Sequence, residues 1–286
     1  MGYSGRYFNR LRVWRLGAHM EVELYPVFQP PGVRRKKCRP SREAQRLLNQ
    51  KNREEGVRRL ILANFSEPGS LEVDLTFDRP AAEEEAKAAF GRYVRALRKE
   101  YRRAGAELRY MYAKEQGGRS GKWHFHLLLS PGLSRERVEE LWPEGYANTR
   151  RLRIDETGLA GLAEYITKQS RKRKPEETGK RRWSCSRNIR RPEPEVRDGQ
   201  VSAREVSRLA EAIGRRDAED LAAELAGDMT LVEAEAVRNL RNRGTYIHLR
   251  LAAAACWHGR RPVARYVTGE IGDCVDAEPD GWRAAG

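Results

Sequence analysis

The chain reads as an α+β protein: a ferredoxin/RRM-like antiparallel sheet flanked by helices, with N-terminal and mainly helical C-terminal additions. Three observations predict this. Leu71-Glu72-Val73-Asp74-Leu75-Thr76-Phe77 alternates apolar and polar residues strictly, the period of a half-buried strand. Ala86, Ala89, Phe90, Tyr93, Val94, Leu97 and Tyr101 then recur at helical spacing and form one apolar stripe. From Trp123 to Leu129 the period returns to two. The resulting order is strand, helix, strand, strand, helix, strand, helix, that of a ferredoxin-like unit.

Taken in order, the apolar stretches Leu11, Val13, Trp14 and Val22, Leu24, Tyr25, Val27, Phe28 predict two strands or a hairpin, the second bounded by Pro26, Pro30 and Pro31. Ser41 caps a predicted helix to about residue 64, with Leu47, Leu48, Val57, Leu60, Ile61 and Phe65 at near-helical spacing. After the strand at 71–77, Pro80 and Glu83-Glu84-Glu85 open the next helix, acids in the first turn where the helix dipole favours them. A strand near 107–115, a glycine-rich loop and a strand near 122–130 follow. A short helix near 134–142, a strand near 149–154 and a helix near 158–171 complete the unit. Residues 201–226 read as a helix, and the alanine-rich remainder reads as helical too. Three regions result: an N-terminal strand and helix extension over 1–66, the central domain over 67–195, and a mainly helical region over 196–286.

At 286 residues, 39% of them hydrophobic and 34% charged, the chain holds no apolar run approaching the ~18 residues a bilayer requires, so no membrane partner is expected. The first residues lack the basic-then-apolar layout of a secretory signal. Four cysteines at 38, 185, 256 and 274 form no CxxC pair, which argues against a disulfide framework and makes the cytoplasm the default location.

Charge is more informative. Residues 1–200 carry a formal +17 and residues 201–286 carry −2, together the +15 of the whole chain. The excess clusters at Arg34-Arg35-Lys36-Lys37, at Arg171-Lys172-Arg173-Lys174, and at Lys180-Arg181-Arg182 running on to Arg187, Arg190 and Arg191. Such clusters suit a polyanion, whose bound counterions they release. Lys122, Arg171, Lys172, Arg173, Lys174, Arg181, Arg182 and Arg187 are the candidate DNA-binding residues.

In Trp123-His124-Phe125-His126-Leu127-Leu128-Leu129 the apolar Trp123, Phe125, Leu127 and Leu129 face one way, into a core. His124 and His126 face the other, side by side. A His-x-His arises by chance in roughly one such chain in ten, so the pair needs support from its setting. If residue 115 pairs with 122 across the glycine-rich loop, Glu115 lies diagonal to His124 on the histidine face. The same register puts Leu108, Tyr110 and Tyr112 on the core side. Two nitrogens and one oxygen suit Mn²⁺ or Mg²⁺ beside a phosphate, or alternatively Zn²⁺. Asp74 is a candidate fourth ligand or supporting acid.

Downstream, Leu159, Leu162, Ala163 and Ile166 make an apolar stripe on a helix, and Tyr165 and Lys168 fall together on roughly the opposite face. A tyrosine turned from the packing stripe is available to a ligand; the plainer reading is an ordinary surface tyrosine.

His124-Phe125-His126, a Glu nine residues before the first His, and Tyr165-x-x-Lys168 resemble the motif set of the HUH endonuclease superfamily, in particular the single-tyrosine initiators of rolling-circle replication. Asp74-Leu75-Thr76-Phe77 fits that family's first motif. Arg182-Trp183-Ser184-Cys185-Ser186-Arg187-Asn188 resembles the sequence after the tyrosine in phage-type replication-associated proteins, and Glu21–Phe28 with its basic run resembles their N-terminus.

The resemblance implies a metal-dependent endonuclease and strand transferase acting on single-stranded DNA at an origin hairpin. His124, His126 and Glu115 would hold the Mn²⁺ or Mg²⁺, Tyr165 would be the nucleophile forming a 5′-phosphotyrosine, and Lys168 would assist. The bond energy is kept in the covalent link, so no nucleotide cofactor is needed. Host helicase and polymerase are the implied further partners. Gly118-Arg119-Ser120-Gly121-Lys122-Trp123 lacks the spacing and the Ser/Thr of a phosphate loop, so no ATPase is predicted. A transposase of the same superfamily and a non-cutting nucleic-acid-binding regulator remain the rival readings. The oligomeric state is left open.

Overall fold

A computed structural model describes residues 7–28, 42–117, 120–154, 159, 162, 163, 166, 183–215, 229–240, 243–256 and 263–269. In chain order the elements are β1 (Tyr7–Leu16), β2 (His19–Phe28), α1 (Arg42–Phe65), β3 (Leu71–Phe77), α2 (Glu83–Arg103), β4 (Tyr110–Gln116) and β5 (Trp123–Leu129). Then come α3 (Arg135–Glu140), β6 (Gly145–Arg151), β7 (Trp183–Cys185), β8 (Glu195–Asp198), α4 (Ala203–Arg215), β9 (Met229–Asn239), β10 (Thr245–Ala253) and β11 (Val263–Gly269). Among the described residues no helix is long and apolar enough to cross a membrane.

The chain forms two compact units. One comprises Met1–Arg53, Asp155–Thr157 and Pro192–Gly286; the other comprises Glu54–Ile154 and Gly158–Arg191.

The second unit is built on a five-stranded antiparallel sheet in the order β6-β3-β5-β4-β7. One face is covered by α2, whose predicted stripe from Ala86 to Tyr101 is buried as expected. Phe90 stacks on Phe125 with ring centroids 4.5 Å apart and planes 2° from parallel. The buried hydroxyls find acceptors: Tyr101 donates to the Ser130 carbonyl at 2.6 Å and Tyr93 to the Val138 carbonyl at 3.2 Å. Trp123 is core as well, its indole N–H donating to the Ala81 carbonyl at 3.0 Å.

The other face is apolar at only one end. There Met111 and Leu128 pack with Val57, Leu60, Ile61 and Phe65 of α1 and with Ala163 and Ile166. Leu159 and Leu162 pack against the same cluster, so the predicted apolar stripe of this segment does face the protein. Asn64 seals the edge, donating to the Arg190 carbonyl at 2.7 Å and accepting from the Arg190 N–H at 2.8 Å.

In the other unit, a six-stranded sheet runs β11-β9-β10-β2-β1-β8, with only the β11–β9 pair parallel. Val206, Ala210 and Ile213 of α4 pack on Leu24, Leu231, Ala234, Ala236, Ile247, Leu249 and Leu251. The N-terminal hairpin is as predicted. Pro26, however, lies inside β2 rather than at its boundary. It is tolerated because β10 pairs with β2 only between His19 and Leu24, leaving Pro26 where the strand has one neighbour.

Residues beyond 228 correct the helical expectation. The helix predicted over 201–226 is described over Ala203–Arg215, and the described residues from 229 on form three strands, with one short 3-10 turn at Ala254–Cys256. Alanine favours helices, but Ala234 and Ala236 alternate with Glu233, Glu235 and Val237, a period of two that buries only the small residues. Tertiary burial on one face overrides the intrinsic preference. The sheet therefore joins the chain's N-terminal hairpin to its C-terminal strands.

The strand expected near 149–154 is Gly145–Arg151 instead. Its inward residues are Ala147 and the buried Thr149, too small and polar to announce themselves, and the Glu139 carboxylate accepts the Thr149 N–H at 2.7 Å.

Candidate nuclease site

Because β5 lies between β3 and β4, each histidine meets residues from both neighbours. Three rows cross the face opposite α2. Tyr146, Thr76, His124 and Glu115 form the first. Asn148, Asp74, His126, Ala113 and Trp183 form the second. Arg150, Glu72, Leu128, Met111 and Cys185 form the third. The third row lies under the apolar cover at Leu128 and Met111, while the first two hold the polar groups. Tyr146 is 68% exposed at the outer end of the first row.

This register corrects the predicted one by two residues. Glu115 pairs with His124 directly, and Ala113 with His126. A shift of two leaves every side chain on its predicted face, so the grouping of Glu115 with both histidines holds. The longer loop this requires is closed by hydrogen bonds from the Gly117 N–H to the Lys122 carbonyl at 2.9 Å and from the Gly121 N–H to the Gly117 carbonyl at 2.8 Å.

Each imidazole is fixed through its Nδ1. His126 Nδ1 lies 2.6 Å from Asp74 Oδ1, and His124 Nδ1 lies 3.0 Å from Thr76 Oγ1. His126 Nε2 points instead toward Glu115, with Oε1 at 3.3 Å. Asp74 is held in turn by Arg150, whose Nη2 lies 3.0 Å from Asp74 Oδ2, while Arg150 Nε lies 3.3 Å from Glu72 Oε2.

The electrostatics follow from these contacts. Burial works against a charge on His126, but the Asp74 and Glu115 carboxylates outweigh it and push its pKa up to about 9. Asp74 is held below the usual carboxylate range, chiefly by its hydrogen bond to His126. Burial raises Glu72, with Arg150 opposing. The field at His126 Nε2 is thus one that favours a cation.

The donor set fits a divalent ion. Two imidazoles with Nδ1 engaged, and a carboxylate facing the Nε2 of one of them, are what an N,N,O site needs, and Asp74 and Thr76 supply the outer contacts that orient such ligands. Gly117 lies beside His124: a Cβ there would meet Ser120 Oγ at 2.6 Å and His124 Nε2 at 3.4 Å. Among the described residues the three donors are not all within 4.8 Å of one another, so closing on one ion takes a side-chain rotation. Asp74 sits on the far nitrogen of His126 from Glu115, the place of a supporting acid rather than of a fourth ligand.

Other predicted residues are placed as follows. Lys122 is half-buried just before β5 and Arg187 is exposed in the turn after β7. Tyr165, Lys168, Arg171, Lys172, Arg173, Lys174, Arg181 and Arg182 lie outside the described residues. The flanking Ala163 and Ile166 are buried in the cluster that contains Leu128, two residues after His126. Sequence reasoning missed Thr76 and Arg150. Each follows only from the pairing of β3 with its two neighbours, which no local pattern encodes.

No curated protein and no solved structure matches the chain. Residues 72–172, from β3 past Tyr165, are similar to the family of replication-associated protein ORF2/G2P, a match that supports a replication initiator.

Proposed function

We propose that this protein is a metal-dependent, site-specific single-stranded DNA endonuclease and strand transferase that initiates rolling-circle replication through Tyr165. One observation carries the reading: the two imidazoles are anchored by Nδ1 to Asp74 and Thr76, and the Nε2 of His126 faces Glu115. A binding module has no need of histidines oriented this way.

His124, His126 and Glu115 would hold the ion, Mn²⁺ or Mg²⁺, which when bound polarises a phosphoryl oxygen and fixes its orientation. Asp74 and Thr76 keep the imidazole rings aligned. The Tyr165 oxygen, its proton lost, attacks the scissile phosphorus. A tyrosine–phosphorus bond forms as the bond from phosphorus to the 3′ oxygen breaks, and the released 3′ oxygen takes up a proton. The released 3′-hydroxyl then primes synthesis, and a 3′-hydroxyl that later attacks the phosphotyrosine forms a phosphodiester as the bond from phosphorus to the tyrosine oxygen breaks, its proton passing to Tyr165. Lys168 neutralises charge that develops on the phosphoryl group.

The reading is tested by incubating the protein and Mn²⁺ with single-stranded hairpin oligonucleotides. Strand cleavage with a covalent protein–DNA product is expected, and Tyr165→Phe should bind the DNA without forming that product.

A further inference from the structure

At the end of β6 an open cavity of about 630 Å³ is lined by Glu72, Arg135, Arg150, Arg151, Leu152, Arg153, Leu159 and Leu162. Four guanidiniums around one cavity, offset only in part by Glu72, give it a positive field that suits an anion. Neither Arg151 nor Arg153 has an ion-pair partner among the described residues. Among the described residues Arg135 pairs with Glu136 alone, at 3.8 Å, and Arg150 shares Glu72 and Asp74. The rest of the lining, apart from Glu72, is apolar, from Leu152, Leu159 and Leu162.

Leu159 adopts φ 62°, a left-handed conformation that a leucine takes up only at a cost. Guanidiniums for a phosphate beside an apolar wall for a base or sugar describe the two halves of a nucleotide.

Position narrows the occupant further. Leu159 and Leu162 belong to the segment that carries Tyr165, and Arg150 reaches Asp74, which holds His126. We infer that this cavity is a subsite for one nucleotide of single-stranded DNA beside the scissile phosphate, with Arg135, Arg150, Arg151 and Arg153 binding its backbone phosphate. This deepens the proposed nuclease reading and rests on it. It adds a coupling: a phosphate that draws on Arg150 competes with Asp74 for it, so occupancy is felt at His126.

The test is binding of a fluorescent single-stranded oligodeoxynucleotide to the full chain over a range of salt concentrations, with nicking of the same oligonucleotide measured in parallel. Arg151→Ala combined with Arg153→Ala should raise Kd several-fold. It should also flatten the slope of log K against log salt by up to about 0.7, the contribution of the one single-strand phosphate contact weakened. Arg95→Ala combined with Lys99→Ala, exposed positions on α2 across the sheet, removes the same charge and should leave the slope nearly unchanged.

Equal slopes in both double variants, or an unchanged Kd in the cavity variant, would overturn the inference even if all variants nick normally. Arginine-dependent binding without nicking by the wild type would keep the subsite and sink the nuclease reading. No binding by the wild type would sink both. Inorganic phosphate that displaces the oligonucleotide no better than sodium chloride at equal ionic strength is expected; displacement at low concentration would make this a free-phosphate site instead.

Discussion

Asp74 Oδ1 and His126 Nδ1 stand 2.6 Å apart across the β3–β5 pairing, which turns the other imidazole nitrogen toward Glu115. The contact fixes the ring's orientation and, once the ring is neutral, favours the proton on Nδ1. Removing it with Asp74→Ala should weaken Mn²⁺ binding by roughly 10–100-fold while the fold survives, because such outer partners tune ligands without being ligands. Titration calorimetry with Mn²⁺ checks this. An unchanged affinity would mean that His126 is not a ligand or that Asp74 does not orient it.

Glu115→Gln removes the charge but keeps the shape. Metal affinity should fall, and nicking with it, and raising the Mn²⁺ concentration should recover part of the activity. A loss of activity that no metal concentration restores would place Glu115 in a different role.

Two glycines in the same unit should respond in opposite directions. At Gly145, φ 150°, an added Cβ would meet the Thr76 carbonyl oxygen at 2.4 Å and the Asp78 nitrogen at 2.5 Å. Neither backbone atom can move without breaking the end of the β3–β6 pairing, so Gly145→Ala should destabilise by about 1–3 kcal/mol. At Gly91, within α2, an added Cβ meets only the Arg95 guanidinium at 3.6 Å. Gly91→Ala should stabilise by about 0.5–1 kcal/mol. Chemical denaturation of both variants distinguishes them.

Lys114 and Lys87 hold the Glu83 carboxyl down to about 2 through hydrogen bonds, that of Lys114 at 2.7 Å being the larger effect. A carboxyl lowered in the folded state contributes stability that is present above its ordinary value of 4.5 and lost as the pH falls from there toward 2. Glu83 is 39% exposed, so screening reduces the contribution to about 0.5 kcal/mol. Wild type should therefore exceed Glu83→Gln in stability at neutral pH, and the difference should vanish near pH 2. A difference independent of pH would point to packing instead.

Much of the central unit was legible because its signals are local. The alternation in Leu71–Phe77 and Trp123–Leu129 and the stripe from Ala86 to Tyr101 each report burial on one face. The histidine face followed from the same alternation, and so did Glu115, even though the register was off by two, because faces repeat every two residues. What the sequence hid is what depends on pairing between distant strands. Thr76 and Arg150 join the site through β3, which in the chain is separated from β5 by a helix and a strand and from β6 by two helices and two strands. In β9 the buried alanines carry too little apolar area to outweigh their helical preference by eye.

The central claim is that Tyr165 forms a covalent bond with DNA. The most direct measurement is to trap the product of a cleaved oligonucleotide, digest the protein, and locate the nucleotide-bearing peptide by mass spectrometry. The adduct is predicted on the tyrosine of the peptide containing Glu164-Tyr165-Ile166, and it should be absent in Tyr165→Phe. An adduct on another residue, or cleavage by Tyr165→Phe at the wild-type rate, would contradict it.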